Sequence, residues 1–363
     1  MPTTASSSAK QVTHRRSALR RLVIVVLLIL LPMSAMAALL VGPMEMKLVD
    51  VLKILANGIL GSEADSPGGA HIVIWEIRLP RVLLSVLIGC GLAVAGASMQ
   101  GVFRNPLADP GIIGVSGGGA MGAIAMIVLG NRIFPQVFFD NYGIYIVPAA
   151  AMLGAIAITF LIYRLSLQNG SVNLIAMLLI GIAINALGGS FIGFLTFISN
   201  DEELRTLTFW NLGSLGRATW SLIIPAFVFM VLPLFLIPHY ATALNALLLG
   251  ESEARYLGLN TARVKRNIII LSASLVGVSV ALCGGIGFIA LVAPHMVRSM
   301  CGPDHRILIP ASGLLGAIIL TLGDIGARTL AAPAELPIGI LTALIGAPVF
   351  LYILIQWKRS SAH

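Results

Sequence analysis

The chain has 363 residues, of which 58% are hydrophobic and only 10% are charged. Soluble domains carry about 25% charged residues, so this composition excludes a water-soluble protein and predicts that much of the apolar surface faces lipid. The net charge of +8 does not indicate a nucleic-acid partner. The basic residues form short clusters between apolar runs, as they do in the cytoplasmic loops of membrane proteins.

A basic N-terminal segment, residues 1–21, precedes the first apolar run at residues 22–41. A signal peptide begins in a similar way, and Ala35-Met36-Ala37 resembles a cleavage site. The run is about 20 residues long, however, which is enough to span a hydrocarbon core of about 30 Å, and signal-peptide cores are shorter. We therefore predict a first transmembrane helix that starts in the cytoplasm.

Further apolar runs of spanning length lie at residues 80–103, 110–130, 144–165, 171–198, 220–240, 307–330 and 337–357. Residues 267–297 contain no Asp, Glu, Lys or Arg and are too long for one crossing. Both chain ends are basic, so the positive-inside rule places both in the cytoplasm and requires an even number of crossings. A double crossing of 267–297 satisfies this requirement, and Gly284, Gly285, Gly287 and Pro294 supply the break.

The predicted fold is therefore an all-α polytopic membrane protein with about ten transmembrane helices. Its transmembrane domain covers residues 22–357, and residues 358–363 form a short cytoplasmic tail. The three cysteines, Cys90, Cys283 and Cys301, form no Cys-x-x-Cys pair. We expect them to be small buried side chains rather than metal ligands.

A glycine-rich stretch contains Gly117-x-Gly119-x-x-Gly122, the spacing of a dinucleotide-binding loop. No strand precedes it, because residues 104–109 form a predicted turn between two helices, so nucleotide binding is not expected. Glycines on a membrane helix let neighbouring helices approach closely. Two interpretations stay open, namely helix packing and a smooth wall along a passage for a bulky solute. The candidates for such a passage are Gly117, Gly118, Gly181 and Gly188.

Five segments, in this order, resemble one family, the ABC-importer permeases for iron chelates, heme and vitamin B12. They are IRLPRVLLSVLIGCGLAVAGASMQGVFRNPLADPGIIGVSGGGAMGA, LGESEARYLGLN, GGIGFIALVAPHMVR, GPDHRILIPASGLLGA and AELPIGILTALIGAPVFLYIL. The resemblance implies type II importer architecture, with a ten-helix subunit that forms a homodimer in the bacterial inner membrane. It also implies two separate cytoplasmic ATPase subunits and a periplasmic substrate-binding protein.

The cytoplasmic loop between the sixth and seventh predicted helices, about residues 241–266, contains the second of these segments. By resemblance it forms two short coupling helices that dock on the ATPase; the alternative is an ordinary amphipathic surface loop. The implied coupling residues are Leu249, Gly250, Glu251, Ser252, Glu253, Ala254, Arg255, Leu257 and Gly258. No lysine follows a glycine, so the chain has no Walker A motif. ATP and Mg²⁺ are therefore expected on the partner ATPase, and no catalytic residue is expected in this chain.

Three arginines, Arg78, Arg81 and Arg328, are predicted at the outer ends of two helices. The resemblance implies that they face glutamates of the docked binding protein, while the alternative is snorkelling to lipid headgroups. Asp324 lies deep in a predicted helix, where a hydrogen-bonded structural role is expected. His295 is interpreted as a capping or packing residue rather than as a heme ligand.

The outer loop at residues 199–220 is predicted to form a short helix above the passage, where Arg205 and Phe209 are candidates for contact with an acidic cargo. The part LRTLTFWNLGSLGRATW of this loop and the later segment AELPIGILTALIGAPVF look most like those of heme-importing members, and ferric siderophores and vitamin B12 are the alternative cargoes. A secondary transporter driven by an ion gradient is a rival class, but such proteins place more ionisable residues near the midplane than Asp324 alone.

Overall fold

A computed structural model of the protein describes residues 4–44, 46–60, 69–168 and 170–360. Fifteen α-helices follow one another within these ranges, with a π-helical segment at Val73–Arg78 and 3₁₀ turns at Pro110–Ile113 and Ile237–Tyr240. They are α1 (Thr4–Leu40), α2 (Leu48–Leu60), α3 (Ala70–Ile72), α4 (Leu79–Phe103), α5 (Val115–Ile133), α6 (Gln136–Leu165), α7 (Leu174–Phe197), α8 (Asp201–Leu212), α9 (Trp220–Leu236), α10 (Ala241–Leu249), α11 (Glu251–Tyr256), α12 (Thr261–Cys283), α13 (Ile289–Cys301), α14 (His305–Thr329) and α15 (Ile338–Ser360). A two-stranded antiparallel hairpin, β1 (Leu167–Gln168) and β2 (Ser171–Val172), separates α6 from α7.

Seven helical segments of the described chain are long and apolar enough to cross a membrane. They are Ala18–Leu40, Ala70–Phe103, Asn141–Leu165, Leu174–Phe197, Trp220–Leu249, Thr261–Cys283 and His305–Thr329. The other three predicted crossings coincide with α5 of 19 residues, the short α13 of 13 residues and α15. The all-α membrane fold is thus confirmed, and every predicted crossing coincides with a helix.

Helix α4 lies at the centre of the bundle, where it is one of the most buried of the spanning segments. Small residues make this possible, because an added Cβ at Gly89 would lie 2.8 Å from the carbonyl carbon of Gly316 on α14. Gly96 meets the backbone of α13 at Ala290 in the same way. Lipid supplies no hydrophobic driving force for the association of membrane helices, so close backbone contact provides the attraction instead.

The break predicted inside residues 267–297 is confirmed at residues 284–288, between α12 and α13. Gly284 has a φ of +71°, a conformation that glycine adopts without steric cost, and Phe288 has a φ of +67° at the start of α13. Pro294, which was also expected to mark the break, instead lies inside α13. The glycines therefore make the turn without the proline.

Each of the two predicted domain limits at the chain ends falls within a long helix. Helix α1 begins at Thr4 and continues through the expected tail of residues 1–21 without a break. Helix α15 extends to Ser360, and the last part of the predicted C-terminal tail lies outside the described residues. The positions of the membrane boundaries along these two helices stay predictions.

Candidate functional site

Two short helices at the end of the sixth crossing form the predicted coupling surface. Helix α10 ends at Leu249, and Gly250 turns the chain into α11 with φ +136° and ψ +155°. An added Cβ at Gly250 would also collide with the carboxylate of Glu253. Gly258, with a φ of +83°, follows α11 in the same way. The two short helices implied by the resemblance are confirmed, and Gly250 separates them.

The coupling surface presents apolar and aromatic side chains to its surroundings. Tyr256 is 92% exposed, and Leu249 and Leu257 are 69% and 66% exposed. Leu247 of α10 and Ala254 of α11 are instead buried in the core. One side of α10 and α11 therefore packs on the bundle while the other is exposed.

Glu251 is the centre of an ionic group that we call the coupling cluster, formed by Glu251, Arg255 and Lys265. Arg255 Nη2 lies 2.9 Å from Glu251 Oε1, as expected for an i,i+4 pair, and Lys265 Nζ lies 3.0 Å from Glu251 Oε2. Partial burial raises the pKa of Glu251, but hydrogen bonds and positive charge from Lys265 and Arg255 outweigh burial and leave this pKa below its usual value.

Lys265 was not predicted as a functional residue. It is only 3% exposed, and its Nζ also donates to the carbonyl oxygen of Val172 at 3.3 Å. One side chain thus joins α11, the start of α12 and the hairpin after α6. A sequence signal was present, because Lys265 falls in register with the buried face of Ile268 and Ile269.

A second set of polar contacts holds α10 to the rest of the bundle. Asn245 Nδ2 donates to Asp304 Oδ1 at 2.7 Å, and Asn245 Oδ1 accepts from the backbone N–H of His305 at 2.9 Å. Arg20 of α1 lies 3.7 Å from the other oxygen of Asp304. Partial burial raises the pKa of Asp304, but the hydrogen bonds from Asn245 and the Arg306 backbone, with the Arg20 charge, bring it below its usual value.

The three outer arginines lie together with two carboxylates in a group that we call the outer arginine cluster: Arg78, Arg81, Asp324, Arg328 and Glu335. Arg81 Nε donates to Asp324 Oδ1 at 2.9 Å, and Arg81 Nη1 donates to Glu335 Oε1 at 2.9 Å. Arg328 Nε lies 3.1 Å from Asp324 Oδ2. The hydrogen-bonded structural role predicted for Asp324 is confirmed.

All three arginines of this cluster are buried, and backbone carbonyls at or just after the end of α1 accept hydrogen bonds from Arg78 and Arg328. Arg78 Nη1 donates to the carbonyl of Leu39 at 2.6 Å, and Arg328 Nη2 donates to that of Ala38 at 3.0 Å. This placement does not fit snorkelling to headgroups. Contact of these arginines with a docked protein stays a prediction, and the structure adds that their guanidinium groups already have partners within the chain.

The four glycines predicted along a passage all contact neighbouring elements of the same chain. Gly118 lies against Gly154 and Ile158 of α6. A Cβ added at Gly188 would lie 2.8 Å from Met121 Sδ. Gly181 packs on the carbonyl of Ile112, while Gly117 packs on the Asn185 side chain. These contacts fit the packing interpretation, and a role in translocation stays a prediction.

The short helix predicted within residues 199–220 is confirmed as α8, which has a capping box formed by Asn200 and Glu203. Arg205 and Phe209 are both exposed on this helix, with Arg205 Cζ 6.0 Å from the Phe209 ring centroid. Trp210 points the other way into the core. The structure therefore places a cation and an aromatic ring side by side on one accessible face.

His295 lies in the interior of α13, so it is a half-buried packing residue and not a helix cap. Cys283 and Cys301 are buried, and Cys90 is half-buried. Within the described ranges, no group of three or more His, Cys, Asp or Glu side chains is arranged to hold a metal ion.

A bundle of membrane-spanning helices that carries two short exposed helices at one end has the architecture of a transport permease. The chain belongs to the FecCD transport family, whose family model matches residues 26–356. It is a permease subunit of an ABC importer.

Curated relatives and a solved structure agree with this membership. The chain is 46% identical to the hemin transport system permease protein HmuU of Yersinia pestis, over 79% of this chain and 84% of that protein. It is 39% identical to the cobalamin import system permease protein BtuC of Halobacterium salinarum, over 79% and 74% of the two chains. A structure described as an inward-facing conformation of a metal-chelate type ABC transporter matches with a TM-score of 0.79 and 32% identity, over 93% of this chain and 99% of the other.

Proposed function

We propose that two copies of this chain form the translocation unit of a heme importer in the bacterial inner membrane. A separate ATPase supplies the energy, and a periplasmic binding protein delivers the heme. Both termini lie in the cytoplasm, on the same side as α10 and α11. Heme is the substrate in this account and not a resident cofactor.

The observation that carries this proposal is the exposed pair of helices on either side of Gly250. Their outer side presents Leu249, Tyr256 and Leu257, which supply the apolar anchors typical of a protein interface. Their inner side is fixed to α12 by Lys265 and to α14 by Asn245. A partner that moves this pair therefore moves two spanning helices with it.

Heme is favoured as the cargo by the similarity to the hemin permease HmuU, the relative quoted above with the highest identity. The exposed Arg205 and Phe209 of α8 also suit a flat aromatic molecule with carboxylates. In this account Arg205 binds a propionate and Phe209 stacks on the porphyrin at the outer mouth of the passage.

Vitamin B12 and ferric siderophores form the second candidate set. The cobalamin permease of Halobacterium salinarum and the metal-chelate type transporter are both similar over most of this chain. The cognate binding protein distinguishes the cargoes, because it selects the solute before the permease meets it. Binding titrations of that protein with heme, ferric chelates and vitamin B12 should show tight binding of heme alone, and preference for either other solute rejects the heme assignment.

Reconstitution in vesicles with the candidate ATPase tests the energy source. We expect heme uptake that requires ATP and continues when ionophores remove every ion gradient. Uptake that follows an imposed proton or sodium gradient without ATP would instead support the secondary-transporter class.

A further inference from the structure

A groove of about 510 Å³ runs along the lipid-facing surface between α6, α9 and α12. Its walls include Met152 and Phe160 of α6, Phe229 of α9, and Ile270 and Ala273 of α12. Phe160, Phe229 and Ile270 are each more than half exposed, so the groove opens sideways to the membrane. Apolar acyl chains are the molecules that surround such a surface.

The length of the groove matches one membrane leaflet. Met152 and Tyr163 mark its extent on α6, which corresponds to about 16 Å along the helix axis. Half of a typical hydrocarbon core is about 15 Å. A single acyl chain from one leaflet therefore fits the groove from end to end.

Two arginines lie at one end of the groove and none of the described residues gives either of them a hydrogen bond or an ion pair. Arg164 is exposed one turn beyond Phe160, with its Cζ 5.5 Å from the Phe160 ring centroid. Arg266 is exposed one turn before Ile270, on the same face of α12. Because α6 ends and α12 begins on the side of the coupling helices, both charges lie at that membrane surface.

A polar group within the groove also lacks a partner. Thr159 is nine-tenths buried and lines the groove, and its Oγ1 has no hydrogen bond within the described part of the chain. A helical threonine usually returns such a bond to its own backbone. Thr159 lies about 7.5 Å along the helix from Arg164, at the depth of the ester groups of a phospholipid whose phosphate is beside the arginine. Tyr163 lies between these two levels, as aromatic residues do at membrane interfaces.

We propose that this groove binds one anionic phospholipid of the leaflet next to the coupling helices. One acyl chain lies between α6 and α12, Thr159 donates to an ester carbonyl, and Arg164 and Arg266 bind the anionic headgroup. The lipid spans the junction between α6 and the start of α12, next to the hairpin after α6 that Lys265 ties to α12 inside the bundle. The site requires neither heme as cargo nor the ATPase assignment.

Native mass spectrometry of the full chain in detergent tests this proposal. Equal amounts of phosphatidylglycerol and phosphatidylcholine with identical acyl chains are added, and the adducts are counted. We expect a preference for phosphatidylglycerol of about tenfold, since each basic residue near a membrane surface attracts anionic lipid. In the double variant Arg164→Gln/Arg266→Gln this preference should disappear, whereas in Arg306→Gln, which removes an exposed arginine elsewhere at the same surface, it should persist.

Two further variants separate the headgroup from the acyl chain. Ala273→Phe fills the groove and should remove the adduct of either lipid, while Thr159→Val should weaken both adducts and leave the preference intact. The double arginine variant carries the test alone if Ala273→Phe does not fold. Equal binding of the two lipids by the unchanged protein, an unchanged preference in the double arginine variant, or displacement of phosphatidylglycerol by inorganic phosphate overturns the proposal.

Discussion

The outer arginine cluster and the coupling cluster use the same charged groups in different surroundings. In the outer cluster, Asp324 is 1% exposed and lies between Arg81 and Arg328, which are also buried. In the coupling cluster, only Lys265 is buried, while Arg255 is exposed and Glu251 is half-buried. The first arrangement fixes helices to one another, and the second leaves carboxylate and arginine accessible to a partner.

The difference follows from what each cluster joins. The outer cluster ties α4, α14 and the end of α1, which are elements of the central core. A buried ion pair is costly to break, because removal of one partner leaves an uncompensated charge. The coupling cluster joins an exposed short helix to the first turn of α12, and water screens its Glu251–Arg255 pair although Lys265 is buried.

The largest effect is expected from Asp324→Asn. This change leaves Arg81 and Arg328 buried without their shared carboxylate, which should cost about 3–5 kcal/mol of stability. Thermal unfolding of the purified protein in detergent should show a strongly lowered midpoint and reduced yield. Glu335→Gln is the matched control, because the Glu335 side chain is 50% exposed and bonds the same Arg81; its cost should stay below about 1 kcal/mol. Equal midpoints for the two variants would contradict the distinction between the clusters.

The next effect concerns coupling. Gly250→Pro cannot adopt the φ of +136° that the turn requires, and Glu251→Arg places a positive charge against Lys265 and Arg255. With the ATPase reconstituted, ATP hydrolysis should continue in both variants while uptake per ATP falls by about tenfold or more, a loss of about 1.4 kcal/mol or more in coupling. Lys53→Glu reverses a charge on α2 and should leave the ratio unchanged. Normal uptake in both coupling variants would remove α11 from the mechanism.

A smaller effect is expected for docking of the binding protein. If a carboxylate of the docked protein reaches Arg81, Glu335 competes with it for the same guanidinium group. Glu335→Gln should then tighten docking by a few-fold, about 1 kcal/mol, in a binding assay at low salt. Reversal of Arg78, Arg81 and Arg328 to Glu should weaken docking, but it will also destabilise a buried cluster. If Glu335→Gln leaves the affinity for the binding protein unchanged, Arg81 does not belong to the docking surface.

The smallest effect is a pH dependence at the coupling cluster. The pKa of Glu251 is lower in the folded protein than its ordinary value of 4.5, so its ion pairs stabilise the fold above that pH. The stabilisation is lost as pH falls through the lowered pKa. The stability difference between the unchanged protein and Glu251→Gln should be about 1 kcal/mol or less at pH 7 and should shrink below pH 4.5. A constant difference across this range would show that charge at Glu251 does not hold α11.

Much of the fold could be predicted because its signals are local. Apolar runs gave the crossings, the glycines at 284–287 gave the break between α12 and α13, and Gly250 separated the coupling helices as expected. The hairpin at residues 167–172 was missed, since its second strand was counted with the apolar run at residues 171–198. Composition alone does not place the first turn of a membrane helix.

The partners of the charged residues could not be predicted because they are distant in sequence. Arg81 and Asp324 are 243 positions apart, and Arg81 and Glu335 are 254 positions apart. The sequence predicted that the outer arginines lie at helix ends. It could not show whether their side chains point to the core or to water, because the residues at the helix end are the same in both cases. Lys265 was missed for the same reason, because its partners, Glu251 and the Val172 carbonyl, lie 14 and 93 positions away in the sequence.

The side of the membrane on which α11 lies is the most direct test of the central claim. Two single-cysteine substitutions are made, one at Tyr256, the 92% exposed residue of α11, and one at Glu202, which is exposed on α8. Each variant is treated with a membrane-impermeant maleimide. We predict that Tyr256→Cys reacts in inside-out vesicles and not in intact spheroplasts, and that Glu202→Cys shows the opposite pattern. Reaction of Tyr256→Cys in intact spheroplasts would place the coupling helices outside the cell and contradict the account of an ATPase acting on them.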